Sequence, residues 1–183
     1  MTRTRAMTNL ARELTVQLSL APPFQPTVFV RRLAARRGLT IQLVPFPMLG
    51  SANGFCLRIG ETEYLVFYEP DVSPQTFARI LYHEAAHIIL GHVPISTPEQ
   101  IAETLALLNP TPASGPPLFR ASFRRQRYSL PFELDAEALA MALTALSLRA
   151  SAPALPADVP HNVADATDDA LSEVGEFYGD LGL

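Results

Sequence analysis

The chain has 183 residues, 48% of them hydrophobic and 17% charged, and a formal net charge of −4 at pH 7. So much apolar material supports a core in a single main domain and excludes a disordered chain. The acidic balance argues against a protein that coats nucleic acid through bulk charge.

The charge also changes sign along the chain. All 14 basic residues are arginine and fall within residues 1–149, against 11 acids, whereas residues 150–183 hold seven acids and no base. The expected division is a mildly basic domain, residues 1–150, and a Pro/Ala linker with an acidic tail, residues 151–183. Cys56 is alone, so no intramolecular disulfide and no four-cysteine metal site can form. Met1–Arg5 is basic, but Arg12 and Glu13 interrupt the segment after it, and no apolar run reaches the length of a membrane span. The expected setting is the reducing cytoplasm, with no membrane attachment.

In chain order, Leu10, Leu14 and Leu18 recur at four-residue spacing and predict an amphipathic helix over Thr8–Ser19. Pro26 opens a second helix that runs to Arg37, with Gly38 as its C-cap. Leu39–Val44 reads as a short strand, ended by Pro45 and Pro47. Phe55–Ile59 and Glu63–Tyr68 read as a hairpin turning at Gly60-Glu61. Ser73-Pro74 supplies an N-cap and a first helical proline, and that helix runs to about Leu90 before Gly91 stops it. Pro98–Leu108 is a further helix, Asn109–Pro117 a Pro-rich loop, and Phe132–Arg149 another helix. Past the Ser151–Pro160 linker, a short acidic helix is expected over Asp165–Tyr178. Helices, a small antiparallel three-stranded sheet and more helices make an α+β fold.

The helix that starts at Ser73 contains His83-Glu84-Ala85-Ala86-His87, the pattern H-E-x-x-H. Four residues advance a helix by about 400°, so the two histidines lie one turn apart on one face and can converge on a metal such as Zn²⁺. Glu84 is rotated about 100° from His83. It therefore stands beside the metal rather than on it, placed to act as general base toward water. The competing reading is a helix whose exposed edge merely carries these three residues.

Zinc needs a third protein ligand and an open position. His92 follows His83 by nine residues, which projects to the opposite face and suits it to the free carbonyls at the helix end. His161 lies beyond the Pro-rich linker. The stronger candidate is in Glu133-Leu134-Asp135-Ala136-Glu137-Ala138-Leu139-Ala140. There Glu133 and Glu137 share one face, and small Ala136 and Ala140 let another helix approach. Glu133 is the candidate third ligand, and Glu137 is placed to hold the outer N–H of a ligand histidine. Two alternatives stay open: Glu133 as a first-turn carboxylate favoured by the helix dipole, and Asp135, about 200° away, as the ligand.

H-E-x-x-H followed by E-x-x-A-[DEN]-x-x-A, after a small sheet, resembles the ImmA/IrrE metallopeptidases. The Leu90-Gly91-His92 ending of the motif helix fits the same family, and the resemblance covers about residues 26–148. It implies a zincin-like, gluzincin-type site in which His83, His87 and Glu133 hold one Zn²⁺ and Glu84 is the catalytic base. It also implies an intracellular endopeptidase that cuts a helix-turn-helix transcriptional repressor, in stress response or mobile-element regulation. Ala85-Ala86 stands where Leu-Gly is usual in the family, Leu139 where Phe is common, and the stretch from His87 to Glu133 is longer. No helix-turn-helix pattern is visible here, so the repressor would be a separate protein. Mn²⁺ or Fe²⁺ can occupy the same ligands.

Phe119, Phe123 and Tyr128 are interleaved with Arg120, Arg124, Arg125 and Arg127. Arginine with aromatic rings suits phosphate or carboxylate partners, so a nucleic-acid or acidic-peptide contact is one reading. The plainer one is an amphipathic segment with rings in the core and arginines in water. A third is that this segment docks the chain's own acidic tail. Tyr128 is also a candidate oxyanion donor. Against the peptidase stand a non-hydrolytic regulatory module with a structural or vestigial metal site, and a latent small peptidase with no dedicated repressor.

Overall fold

Proline, glycine and a capping serine set the element boundaries in a computed structural model that describes residues 2–48, 53–108 and 128–149. Five helices and three strands lie among them: α1 (Arg3–Gln17), α2 (Pro26–Arg37), β1 (Thr40–Pro45), β2 (Gly54–Arg58), β3 (Glu63–Tyr68), α3 (Pro74–Ile89), α4 (Pro98–Leu108) and α5 (Leu130–Leu148). Pro26 opens α2, and Gly38 closes it in the left-handed conformation at φ 63°. Ser73 caps α3 by accepting from the Thr76 amide at 3.2 Å, ahead of Pro74 at the first helical position. Helix α1 begins five residues earlier than the leucine spacing predicts, and Arg3 is tied there to Asp135 of α5 at 2.7 Å.

The α+β class holds, but the sheet is mixed rather than antiparallel. Its order is β1-β3-β2, with β2 antiparallel to β3 and β1 parallel to it. The β2–β3 hairpin forms, and β3 then inserts between β2 and β1. Composition explains which strand takes the centre. β3 reads Glu-Tyr-Leu-Val-Phe-Tyr and is apolar on both faces, whereas β1 ends in Pro45, which lacks an amide donor and suits an edge. In this register Leu43, Val66 and Cys56 align on the face toward the helices, and Val44, Phe67 and Phe55 on the other. Phe55 and Phe67 stack there with centroids 4.4 Å apart.

Helix α3 lies in the middle of the structure, against the inner sheet face, α2 and α5. Phe29 of α2 meets Tyr82 edge-on at 5.5 Å, and Tyr68 of β3 meets Phe77 at 5.1 Å. Helix α5 packs between α1 and α3, burying Ala136, Leu139, Ala140 and Leu143 completely. Two alanines one turn apart let its backbone come close to a neighbour. No helix among the described residues is long and apolar enough to cross a membrane. The Pro-rich loop, the arginines at 120, 124, 125 and 127, His161 and the acidic tail lie outside the described residues.

Because Ala140 is fully buried, Ala140→Leu overpacks the core and is expected to cost about 1–3 kcal/mol. Urea unfolding of the metal-free protein checks this, and an unchanged midpoint would contradict the close packing.

Candidate metal centre

Helices α3 and α5 present their one-turn repeats to each other, His83 and His87 on one and Glu133 and Glu137 on the other. His83 Nε2 lies 3.1 Å from His87 Nε2 and 3.3 Å from Glu133 Oε2, and His87 Nε2 lies 3.7 Å from the same oxygen. These three residues form a group that can hold a metal ion. Asp135, the rival to Glu133, is turned away into its ion pair with Arg3.

Glu137 sits behind the group. Its Oε2 accepts from His83 Nδ1 at 3.1 Å, and its Oε1 accepts from Arg79 at 2.8 Å. Arg79 is a part of the site that the sequence reading missed, although it lies four residues before His83 on the same helix and was accessible to i,i+4 reasoning. Burial works against a proton on His83, but the Glu137 hydrogen bond and the charges of Glu84, Glu137 and Glu133 hold its pKa above the ordinary value. His87 is fully buried, and burial with the neighbouring His83 and His92 pushes its pKa down to about 3. It is therefore neutral across the physiological range, as a metal ligand must be.

Glu84 is not on an exposed helix edge. It is 5% exposed, and its Oε2 has no hydrogen-bond partner among the described residues. Burial and the Glu133 charge raise its pKa to about 7, against the lowering effect of His83. A carboxyl group with that pKa can both take up and release a proton near neutrality. Gly54 of β2 makes room for it. A Cβ there would stand 2.6 Å from Ile80 Cγ2 and 3.2 Å from Glu84 Oε1. A glycine inside a strand is the signal for such an approach, and it was there to be read.

His92 departs from its expected place. Gly91, at φ 70°, reverses the chain, and the His92 amide donates to the His87 carbonyl at 2.9 Å. The free carbonyl is thus satisfied by main chain, while the imidazole turns back to put Nδ1 3.2 Å from His87 Nδ1. The helical projection failed because the helix ends before His92. Tyr128 reaches the site as a ring stacked on His87, centroids 3.9 Å apart. Burial, with Cys56, Glu84 and Glu133 nearby, pushes its ionisation further out of reach.

Searches of protein-family models, curated proteins and solved structures return no match to this chain.

The Glu84 shift has a measurable sign. Its folded pKa of about 7 exceeds the ordinary 4.5, so the folded state holds the extra proton between those values. Stability is therefore lost as pH rises through that window. In metal-free protein, Glu84→Gln is expected to gain stability relative to the parent on going from pH 4 to pH 8, on the order of 3 kcal/mol. Urea melts at the two pH values test this, and a difference that does not change with pH would contradict the buried, ionisable Glu84.

Proposed function

We propose that the chain is a zinc-dependent endopeptidase in which His83, His87 and Glu133 hold the metal and Glu84 is the catalytic base. The observation that carries this reading is the donor triangle of 3.1, 3.3 and 3.7 Å beside the buried carboxyl group of Glu84, whose Oε2 has no hydrogen-bond partner among the described residues. The three donor atoms lie within 3.7 Å of one another, close enough for one ion to bond all three. Two imidazoles and one carboxylate also form a borderline donor set that suits zinc, with Mn²⁺ or Fe²⁺ able to use the same atoms.

A divalent cation bound there would supply Lewis acidity, polarising a peptide carbonyl and making water a better nucleophile. The chain's own residues do the rest. Glu84 takes a proton at its carboxylate and, with a pKa near neutrality, returns it to the departing amine. Gly54 lets β2 lie against it without displacing it. Glu137, itself anchored by Arg79, keeps the outer nitrogen of His83 occupied so that Nε2 faces the centre. Glu133 is 40% exposed along its side chain, which leaves the centre open toward solvent on that side.

The proposed substrate is a separate helix-turn-helix repressor in the cytoplasm, in a stress or mobile-element response. That part rests on the resemblance of His83–His87 and Glu133–Ala140 to the ImmA/IrrE motifs.

Glu84→Gln separates the peptidase from a non-hydrolytic binding module. The variant is expected to bind one zinc per chain as the parent does and to lose at least about a hundredfold in cleavage rate. His87→Ala is expected to lose both. Casein cleavage and metal analysis of the purified variants provide the readout, and a Glu84→Gln protein that cleaves at the parent rate would overturn the assignment.

A further inference from the structure

The two histidines of the metal group use the same nitrogen toward the centre and turn the other outward. Nε2 of each faces Glu133 Oε2. The outward Nδ1 of His83 is held by a carboxylate, Glu137, at 3.1 Å. The outward Nδ1 of His87 meets Nδ1 of His92 at 3.2 Å. An imidazole that gives its Nε2 lone pair to a metal carries its proton on Nδ1, and that N–H needs an acceptor. Two ring nitrogens at hydrogen-bond distance require one donor and one acceptor. With His87 as donor, His92 must accept at Nδ1 and carry its own proton on Nε2.

The surrounding structure holds His92 in that orientation. The left-handed Gly91 and the bond from the His92 amide to the His87 carbonyl bring its backbone back over the end of α3. Its ring then lies flat on Phe132, with centroids 4.1 Å apart and planes 6° from parallel. Phe132 directly precedes Glu133, so one helix start both presents the third donor and clamps His92. This gives a role to a phenylalanine that stays 44% exposed in the fold.

We propose that His92 is the positioning residue of His87: its Nδ1 accepts the His87 Nδ1–H and fixes the tautomer and ring orientation that aim Nε2 at the metal. The inference rests on the metal-centre reading above and extends it to the outer partner of the second histidine. The two ligands are thereby supported unequally, one by a charged carboxylate backed by Arg79 and the other by a neutral ring stacked on Phe132.

Three substitutions in the full chain separate the accepting nitrogen from the ring that carries it. His92→Phe keeps a ring for Phe132 but removes the acceptor. His92→Asn loses the ring but puts Oδ1 where Nδ1 was. His92→Gln carries its oxygen one atom further, at the Nε2 position. Zinc affinity by chelator competition and the visible absorption of the Co²⁺-loaded proteins are the readouts, with melting of the metal-free forms as the folding control. His92→Phe and His92→Gln are expected to bind zinc 10–100-fold more weakly. His92→Asn should stay within about threefold of the parent, with a parent-like Co²⁺ spectrum. Equal affinity in parent and His92→Phe, or equal loss in His92→Asn and His92→Gln, would overturn the proposal; the second comparison decides if His92→Phe does not fold. A parent chain that binds neither Zn²⁺ nor Co²⁺ would instead overturn the metal centre and His92's role with it.

Discussion

The packing of α5 against α3 brings the two halves of the site together, and the site depends on it. Ala136 and Ala140 are fully buried where α5 packs into the core, and side chains this small let its backbone come close to a neighbour. An α-helix repeats its face every three to four residues. The approach therefore brings a pair of histidines one turn apart against a pair of glutamates one turn apart. The outcome is a division of labour by position: Glu133, at the start of α5, meets the inward nitrogens, and Glu137, one turn on, meets the outward nitrogen of His83. The Arg3–Asp135 pair takes the remaining acid of that stretch toward α1.

The same packing produces the electrostatics. Several carboxyl groups and three imidazoles are drawn into one partly dry region, and each answers according to its surroundings. His87, with burial and histidines around it, is driven neutral, and Glu84, with burial and Glu133, is driven toward its protonated form. His83, hydrogen-bonded to Glu137, goes the other way. Burial that moves His87 and Glu84 off their ordinary values destabilises the fold, whereas the Glu137 bond that raises His83 stabilises its charged form, and such clusters concentrate where chemistry is done. A divalent cation among these groups would offset their mutual repulsion while leaving Glu84 at the side.

What was legible in the sequence was what local geometry fixes. Pro26, Gly38, Ser73 and Pro74 mark helix ends through backbone rules that need no tertiary context, and the structure uses them as expected. The H-E-x-x-H and E-x-x-A-E-x-x-A spacings were legible because a rigid period of 3.6 residues turns spacing into direction. The sheet order was not, since alternation tells which face a side chain joins but not which strand lies next to it. His92 was misplaced because its direction was extrapolated along a helix that Gly91 ends. Arg79 and Gly54 carried signals, an i,i+4 spacing and a glycine inside a strand, whose meaning depends on neighbours that only the fold supplies. The early start of α1, likewise, has its tertiary counterpart in Arg3 reaching Asp135 far along the chain.

The most direct test of the central claim is a crystal structure of the zinc-loaded protein with anomalous diffraction at the zinc edge. One ion bonded to His83 Nε2, His87 Nε2 and a Glu133 oxygen, each at about 2.0–2.2 Å, is the expected result. Zinc bound elsewhere, or bound to the two histidines with Glu133 turned away, would contradict it.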